Sequence, residues 1–114
     1  MNLAFIGCGY VADYYATTVV NHPALKLATV WDRDPARLAA FSAHWKVRPA
    51  RSLEAVLAHP SIGLIVNLNH PKSHFAVSKA ALEAGKHVYS EKPLALTLSD
   101  ARALVELAEA RGLE

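Results

Sequence analysis

Short apolar runs alternate along this chain with segments whose apolar residues recur every three to four positions. Residues 3–6 form a first run of strand length. After a glycine-containing turn, Ala12, Tyr15, Ala16 and Val19 fall at i, i+3, i+4 and i+7, which is one face of a helix. Asn21-His22-Pro23 ends that helix, and residues 25–31 read as a second strand. Asp34-Pro35 is an N-cap followed by proline at the first helical position, with Leu38 and Phe41 on the inner side. A short third strand is expected around Val47. Ser52 caps a third helix that turns Leu53, Val56 and Leu57 inward. Residues 62–68 are almost continuously apolar, as in a strand buried on both faces.

A fourth helix is predicted over 71–84, with Val77, Ala80, Ala81 and Ala84 inside and Gly85 as its left-handed stop. Residues 87–90 form a fifth strand. Thr97-Leu98-Ser99-Asp100 opens a last helix, with Ala101, Leu104, Val105 and Ala108 on its core face and Gly112 at its end. This alternation predicts an α/β fold, a parallel sheet with helices on both faces. Right-handed crossovers restrict it to doubly wound arrangements.

The 114 residues allow one domain, residues 1–114, with a small core. At 53% hydrophobic and 19% charged, the composition is globular and not disordered. The formal net charge of +2, with no basic run, argues against nucleic acid as a partner. The one basic concentration, Lys46, Arg48 and Arg51, is broken by Pro49 and reads as a solvated loop. A single cysteine, Cys8, forms no internal disulfide and fits a reducing, cytoplasmic setting. The N-terminus lacks a signal-peptide pattern. No apolar run approaches the ~20 residues of a membrane helix, so no membrane association is expected.

The chemistry begins at Gly7-Cys8-Gly9-Tyr10-Val11-Ala12, a G-x-G-x-x-A pattern between a predicted strand and a predicted helix. Gly7 permits the tight turn, Gly9 lets the backbone approach a pyrophosphate, and Ala12 lets helix and strand pack closely. Helix-start N–H groups then face the phosphates. Asp32 ends the second strand 20 residues past Ala12, where a carboxylate accepts from the adenosine ribose hydroxyls. Together these features predict a dinucleotide-binding Rossmann fold. Asp32 repels a 2′-phosphate and so favours NAD. Arg33 beside it tempers that repulsion and keeps NADP as the alternative.

Ligands of such sheets bind outside the carboxyl ends of the strands. Two further segments fall there: Asn67-Leu68-Asn69-His70-Pro71-Lys72-Ser73-His74 and Glu91-Lys92-Pro93-Leu94-Ala95. The run Gly85-Lys86-His87-Val88-Tyr89-Ser90-Glu91-Lys92-Pro93-Leu94-Ala95 resembles the G-K-H-V-x-x-E-K-P-x-A signature of the Gfo/Idh/MocA oxidoreductases, and the resemblance extends over essentially the whole chain. It implies NAD(P)-dependent hydride transfer to or from a sugar, inositol or similar polyol. Lys92 would then be the lysine that reaches toward the nicotinamide ribose and the substrate hydroxyl, after a Lys–Pro bond that is typically cis, with Glu91 beside the cofactor. The loop after the fourth strand resembles the family's T-P-x-x-x-H pattern through Pro71 and His74. Leu68 and Asn69 flank the cofactor there, and Asn69 stands where a threonine is common. His74 has two open roles, approaching the cofactor or starting the helix. His22, His44, His59, His70 and His87 show no metal spacing and read as ordinary surface or strand residues, and no metal is expected.

The resemblance also implies a second α+β domain that holds substrate, and a sixth strand completing the sheet. Both are absent from these 114 residues. Two expectations follow: very low activity for the isolated chain, and association into a homo-oligomer through uncovered surface. The competing readings are a non-catalytic dinucleotide-binding module or inactive fragment, and a Rossmann-like interaction protein that no longer binds nucleotide.

Overall fold

A computed structural model describes all residues, 1–114. The elements run β1 (Asn2–Ile6), α1 (Tyr10–Val19), β2 (Lys26–Trp31), α2 (Pro35–Trp45), α3 (Leu53–Ala58), β3 (Ile62–Asn67), α4 (His74–Glu83), β4 (His87–Ser90) and α5 (Leu98–Ala110). The four strands form one parallel sheet in the order β2-β1-β3-β4. This is the doubly wound arrangement that the alternation predicts, with the chain reversing direction across the sheet between β1 and β3.

Strand β1 carries the core on both faces because successive side chains alternate. Leu3 and Phe5 pack with Ala12, Ala16, Val30 and Phe41, toward α1 and α2. Ala4 and Ile6 pack with Val56, Ile65, Val77 and Ala81, toward α3 and α4. The caps form as their residue types dictate. The Asp34 side chain accepts from the N–H groups of Ala36 and Arg37, Ser52 from Ala55, and Thr97 from Asp100. Gly85 and Gly112 take positive φ just past α4 and α5.

The strand expected around Val47 does not form. It contracts to a single parallel bridge between Val30 and Pro49, outside β2. The Val30 N–H donates to the Arg48 carbonyl and the Ala50 N–H to the Val30 carbonyl, and the pairing goes no further, because the extended stretch is confined between the left-handed Lys46 that ends α2 and Ser52 that caps α3. The fourth helix also starts later than its proline suggests. Residues Pro71–Ser73 are one 3₁₀ turn, and the α-helix begins at His74. Ala84 and Val105, expected inside, are exposed. At the free edge of β4, the Val88 N–H donates to the Glu114 carbonyl, so the chain end lies against that strand. No helix is long and apolar enough to cross a membrane.

Candidate cofactor site

Strand register lines up the carboxyl ends of all four strands. Trp31, Ile6, Asn67 and Ser90 form one row across the sheet. The residues that follow, Asp32, Gly7, Leu68 and Glu91, therefore open the loops along a single edge. Three strand spacings separate β2 from β4, roughly 14 Å. The sequence-predicted residues are thus brought to one rim, with Asp32 and Arg33 at one end and Glu91 and Lys92 at the other.

At the middle of the rim, Gly7 has φ +106°, and a Cβ there would lie 2.6 Å from the Leu68 carbonyl carbon and oxygen. Glycine is required at this position by conformation and by packing together. Gly9 differs: its φ of −83° suits any residue, and nothing lies within 4 Å of a built Cβ. Ala12 is buried against the sheet. The N–H groups of Gly9, Tyr10 and Val11 have no partner within the protein, and the Gly9 cap adds no side-chain bond. Tyr10 and Val11 are exposed at this helix start. Three unpaired donors at the positive end of a helix form a ready site for phosphate oxygens.

Asp32 is only 7% exposed. Its Oδ2 accepts from the Cys8 N–H at 2.8 Å, and its Oδ1 from the Asp34 N–H at 2.8 Å. The carboxylate therefore shapes the glycine turn as well as facing the rim, and each oxygen keeps a lone pair for a further donor. Gly7, Gly9, Asp32 and Arg33 line one polar recess with Leu68, Asn69, His70 and Ser73, and Arg37 from the first turn of α2 joins them. No sequence motif marks Arg37. Its only signal is its place one helical turn beyond Arg33. Burial, and then the Asp32 charge, push the Cys8 thiol up to about 12.

The loops after β3 and β4 are tied together by buried polar groups. Asn67, 0% exposed, donates to the His74 carbonyl and the Ser78 hydroxyl, and its Oδ1 accepts from the N–H and side chain of Asn69. The Glu91 N–H donates to the Asn67 carbonyl. His74 is 1% exposed, with Nδ1 2.6 Å from the Pro93 carbonyl and Nε2 2.8 Å from the Asn69 carbonyl. Carbonyl oxygens only accept, so the ring donates in these contacts. Neither ring nitrogen is left for another partner. His74 does begin α4, yet its ring spans two loops, an arrangement that the sequence pattern does not reveal.

Pro71 opens the 3₁₀ turn, and His70 Nδ1 accepts from the Lys72 N–H. The Lys92–Pro93 bond is cis, and Lys92 is exposed. The Tyr15 hydroxyl donates to Glu91 at 2.6 Å, and burial followed by that bond raises its pKa. The sequence shows Tyr15 only as a core position. The available signal is that a phenol on an inner stripe needs a polar partner. No group of three or more His, Cys, Asp or Glu side chains is placed to hold a metal.

The chain matches the GFO_IDH_MocA family, an oxidoreductase family with an NAD-binding Rossmann fold, over residues 1–114. It is 37% identical to an uncharacterized oxidoreductase, YhhX, of Escherichia coli, covering 99% of this chain and 33% of that protein. It is 33% identical to the UDP-N-acetylglucosamine 3-dehydrogenase of Acidithiobacillus ferrooxidans, covering 99% and 35%. Among solved structures it superposes, with TM-score 0.92 and 34% identity, on biliverdin reductase of Synechocystis in complex with biliverdin and NADP+, covering 98% and 35%. The chain spans about a third of the length of these relatives.

Proposed function

The chain belongs to the Gfo/Idh/MocA oxidoreductase family as its NAD-binding Rossmann domain, and from that premise we propose that it is the cofactor half of a dehydrogenase acting on a sugar, inositol or similar polyol. The observation that carries the proposal is the row of loop-opening residues along one sheet edge, with three unpaired N–H groups at its centre. A dinucleotide laid across β2, β1, β3 and β4 would place its adenosine ribose by Asp32 and Arg33. Its pyrophosphate would meet Gly7, Gly9, Tyr10, Val11 and the close-packed start of α1 at Ala12. Its nicotinamide half would pass Leu68, Asn69 and Pro71 to reach Glu91 and Lys92. Nothing within the chain demands glycine at position 9, which suits close approach of a phosphate to the backbone.

When bound, the nicotinamide supplies hydride exchange with a secondary alcohol carbon. Lys92 acts as the catalytic residue, its ammonium orienting the substrate oxygen and stabilising negative charge developing there. The proton acceptor and most substrate contacts belong to the remaining two-thirds of a full-length relative. The UDP-N-acetylglucosamine 3-dehydrogenase among the relatives supports a sugar substrate. The carboxylate of Asp32 favours NAD, and Arg33 and Arg37 leave room for NADP.

The test is an NMR titration with NAD. The amide signals of Gly9, Tyr10 and Val11 should move together and saturate. Signals that stay fixed while NAD is in excess would remove the pyrophosphate from the turn. The same reading makes the protein cytoplasmic, with its one thiol buried and reduced, and gives it no nucleic-acid partner. It also makes the protein a homo-oligomer through exposed Tyr10, Tyr14, Leu94 and Leu96. A single monomeric species at every concentration in sedimentation would remove that last element.

A further inference from the structure

The loop after β4 leaves the sheet at Glu91 and re-enters regular structure at Thr97, the cap of α5. Over residues 92–96 no backbone N–H has a partner, and none of the side chains makes a hydrogen bond. The one polar tie between this segment and the rest of the protein is the His74 ring on the Pro93 carbonyl, at 2.6 Å. The other edge of the same ring holds the Asn69 carbonyl at 2.8 Å. Asn69 lies in the loop that packs against Gly7, close enough that a Cβ on Gly7 would meet the Asn69 nitrogen at 2.8 Å.

We propose that His74 is a positioning residue, a strut between two backbone carbonyls that sets where Lys92 stands relative to the glycine turn. The proposal rests on the cofactor reading above and adds to it the device that places the nicotinamide end. Three features make the ring suited to the task. It is rigid and planar, with a nitrogen on each of two edges. It is 1% exposed, so water does not compete for either carbonyl. Its own backbone is held, because the His74 carbonyl accepts from buried Asn67. From β4 outward, Glu91 is fixed by Tyr15 and by the Asn67 carbonyl. Lys92 therefore lies between two anchored neighbours, Glu91 and Pro93. Loss of the strut frees the far side of Lys92 while leaving the sheet and the phosphate turn in place.

The experiment compares NAD with ADP-ribose, which lacks the nicotinamide, as ligands for the wild-type chain and for His74→Ala. The strut acts at the nicotinamide end, so NAD affinity should fall about tenfold, the scale of one or two lost hydrogen bonds, while ADP-ribose affinity changes less than about twofold on the same scale. Backbone ¹⁵N order parameters over residues 92–96 should drop below roughly 0.6 while the strands stay near 0.85. Equal losses for both ligands, or unchanged order over 92–96, would overturn the strut. Should His74→Ala not fold, His74→Gln keeps one amide donor and is held to the same NAD-specific loss at smaller size. Failure of the wild-type chain to bind either ligand is a separate outcome, and it overturns the cofactor reading and the strut with it.

Discussion

Gly7 and Cys8 show how two adjacent residues can serve one turn in different ways. Gly7 supplies a backbone conformation and a contact with Leu68 that no side chain allows. Cys8 gives its N–H to Asp32 and sends its thiol into the core beside Phe5 and Phe41. That burial, with the Asp32 charge, raises the thiol from its ordinary value of 9.0 to about 12. The unfolded chain sheds this proton from about pH 9 upward, and the folded chain only near 12. Between those values the unfolded state binds fewer protons, so stability falls as pH rises. It is intact below pH 9 and the loss is complete above about 12. Chemical denaturation of wild type and Cys8→Ala across this range should show a steeper decline in the wild type. Parallel curves would show that the thiol contributes nothing. At this scale the places of Gly7, Gly9, Ala12 and Asp32 around the turn were legible, because a spacing rule fixes where each stands relative to strand and helix. Arg37, Tyr15 and the double reach of His74 were not legible. Tyr15 meets Glu91, 76 positions away, His74 meets Pro93, 19 positions away, and Arg37 reaches the recess from a separate helix, which no local pattern records.

Elements were legible where cap, periodicity and stop agree. Helix α2 has cap and periodicity, Asp34 and Pro35 at its start and Leu38 and Phe41 on its inner side, while its end at a left-handed Lys46 carries no glycine to mark it. Asp34 accepts from two otherwise unpaired helix-start N–H groups at 3.0 and 3.3 Å. Replacing it with alanine should lower stability by about 1 kcal/mol, read as a shifted urea midpoint with unchanged slope. An unchanged midpoint would mean that water satisfies those donors equally well. The strand near Val47 misled because an apolar residue in an extended stretch satisfies the pattern, while a ladder needs more extended residues than fit between the end of α2 at Lys46 and the cap of α3 at Ser52. Val105 and Ala84 misled for a related reason. Helical spacing gives a face, but which part of that face meets a neighbour depends on how α4 and α5 cross, and Leu104 takes the buried place.

For the molecule as a whole, the parallel sheet turns separate loops into one site. Four strands in register end on one row, and Asp32, the start of α1, Leu68 and Lys92 follow from it in spatial order. That arrangement was legible once the glycine turn, the strand-end acid and the Glu91-Lys92-Pro93 segment were read together. The order of strands and the buried polar tie between their loops came only from the fold. In the function proposed above, a nicotinamide dinucleotide lies along this rim with its adenosine ribose on Asp32. Calorimetric titration of the wild-type chain and Asp32→Ala, with NAD and with NADP, tests it most directly. Because Asp32 also braces the turn through Cys8 and Asp34, the informative quantity is the ratio of the two affinities within each variant. The wild type should bind NAD saturably and more tightly than NADP, and the ratio should shift toward NADP by roughly tenfold or more when the carboxylate is removed. A ratio that does not move, or no binding of either dinucleotide, would contradict the account.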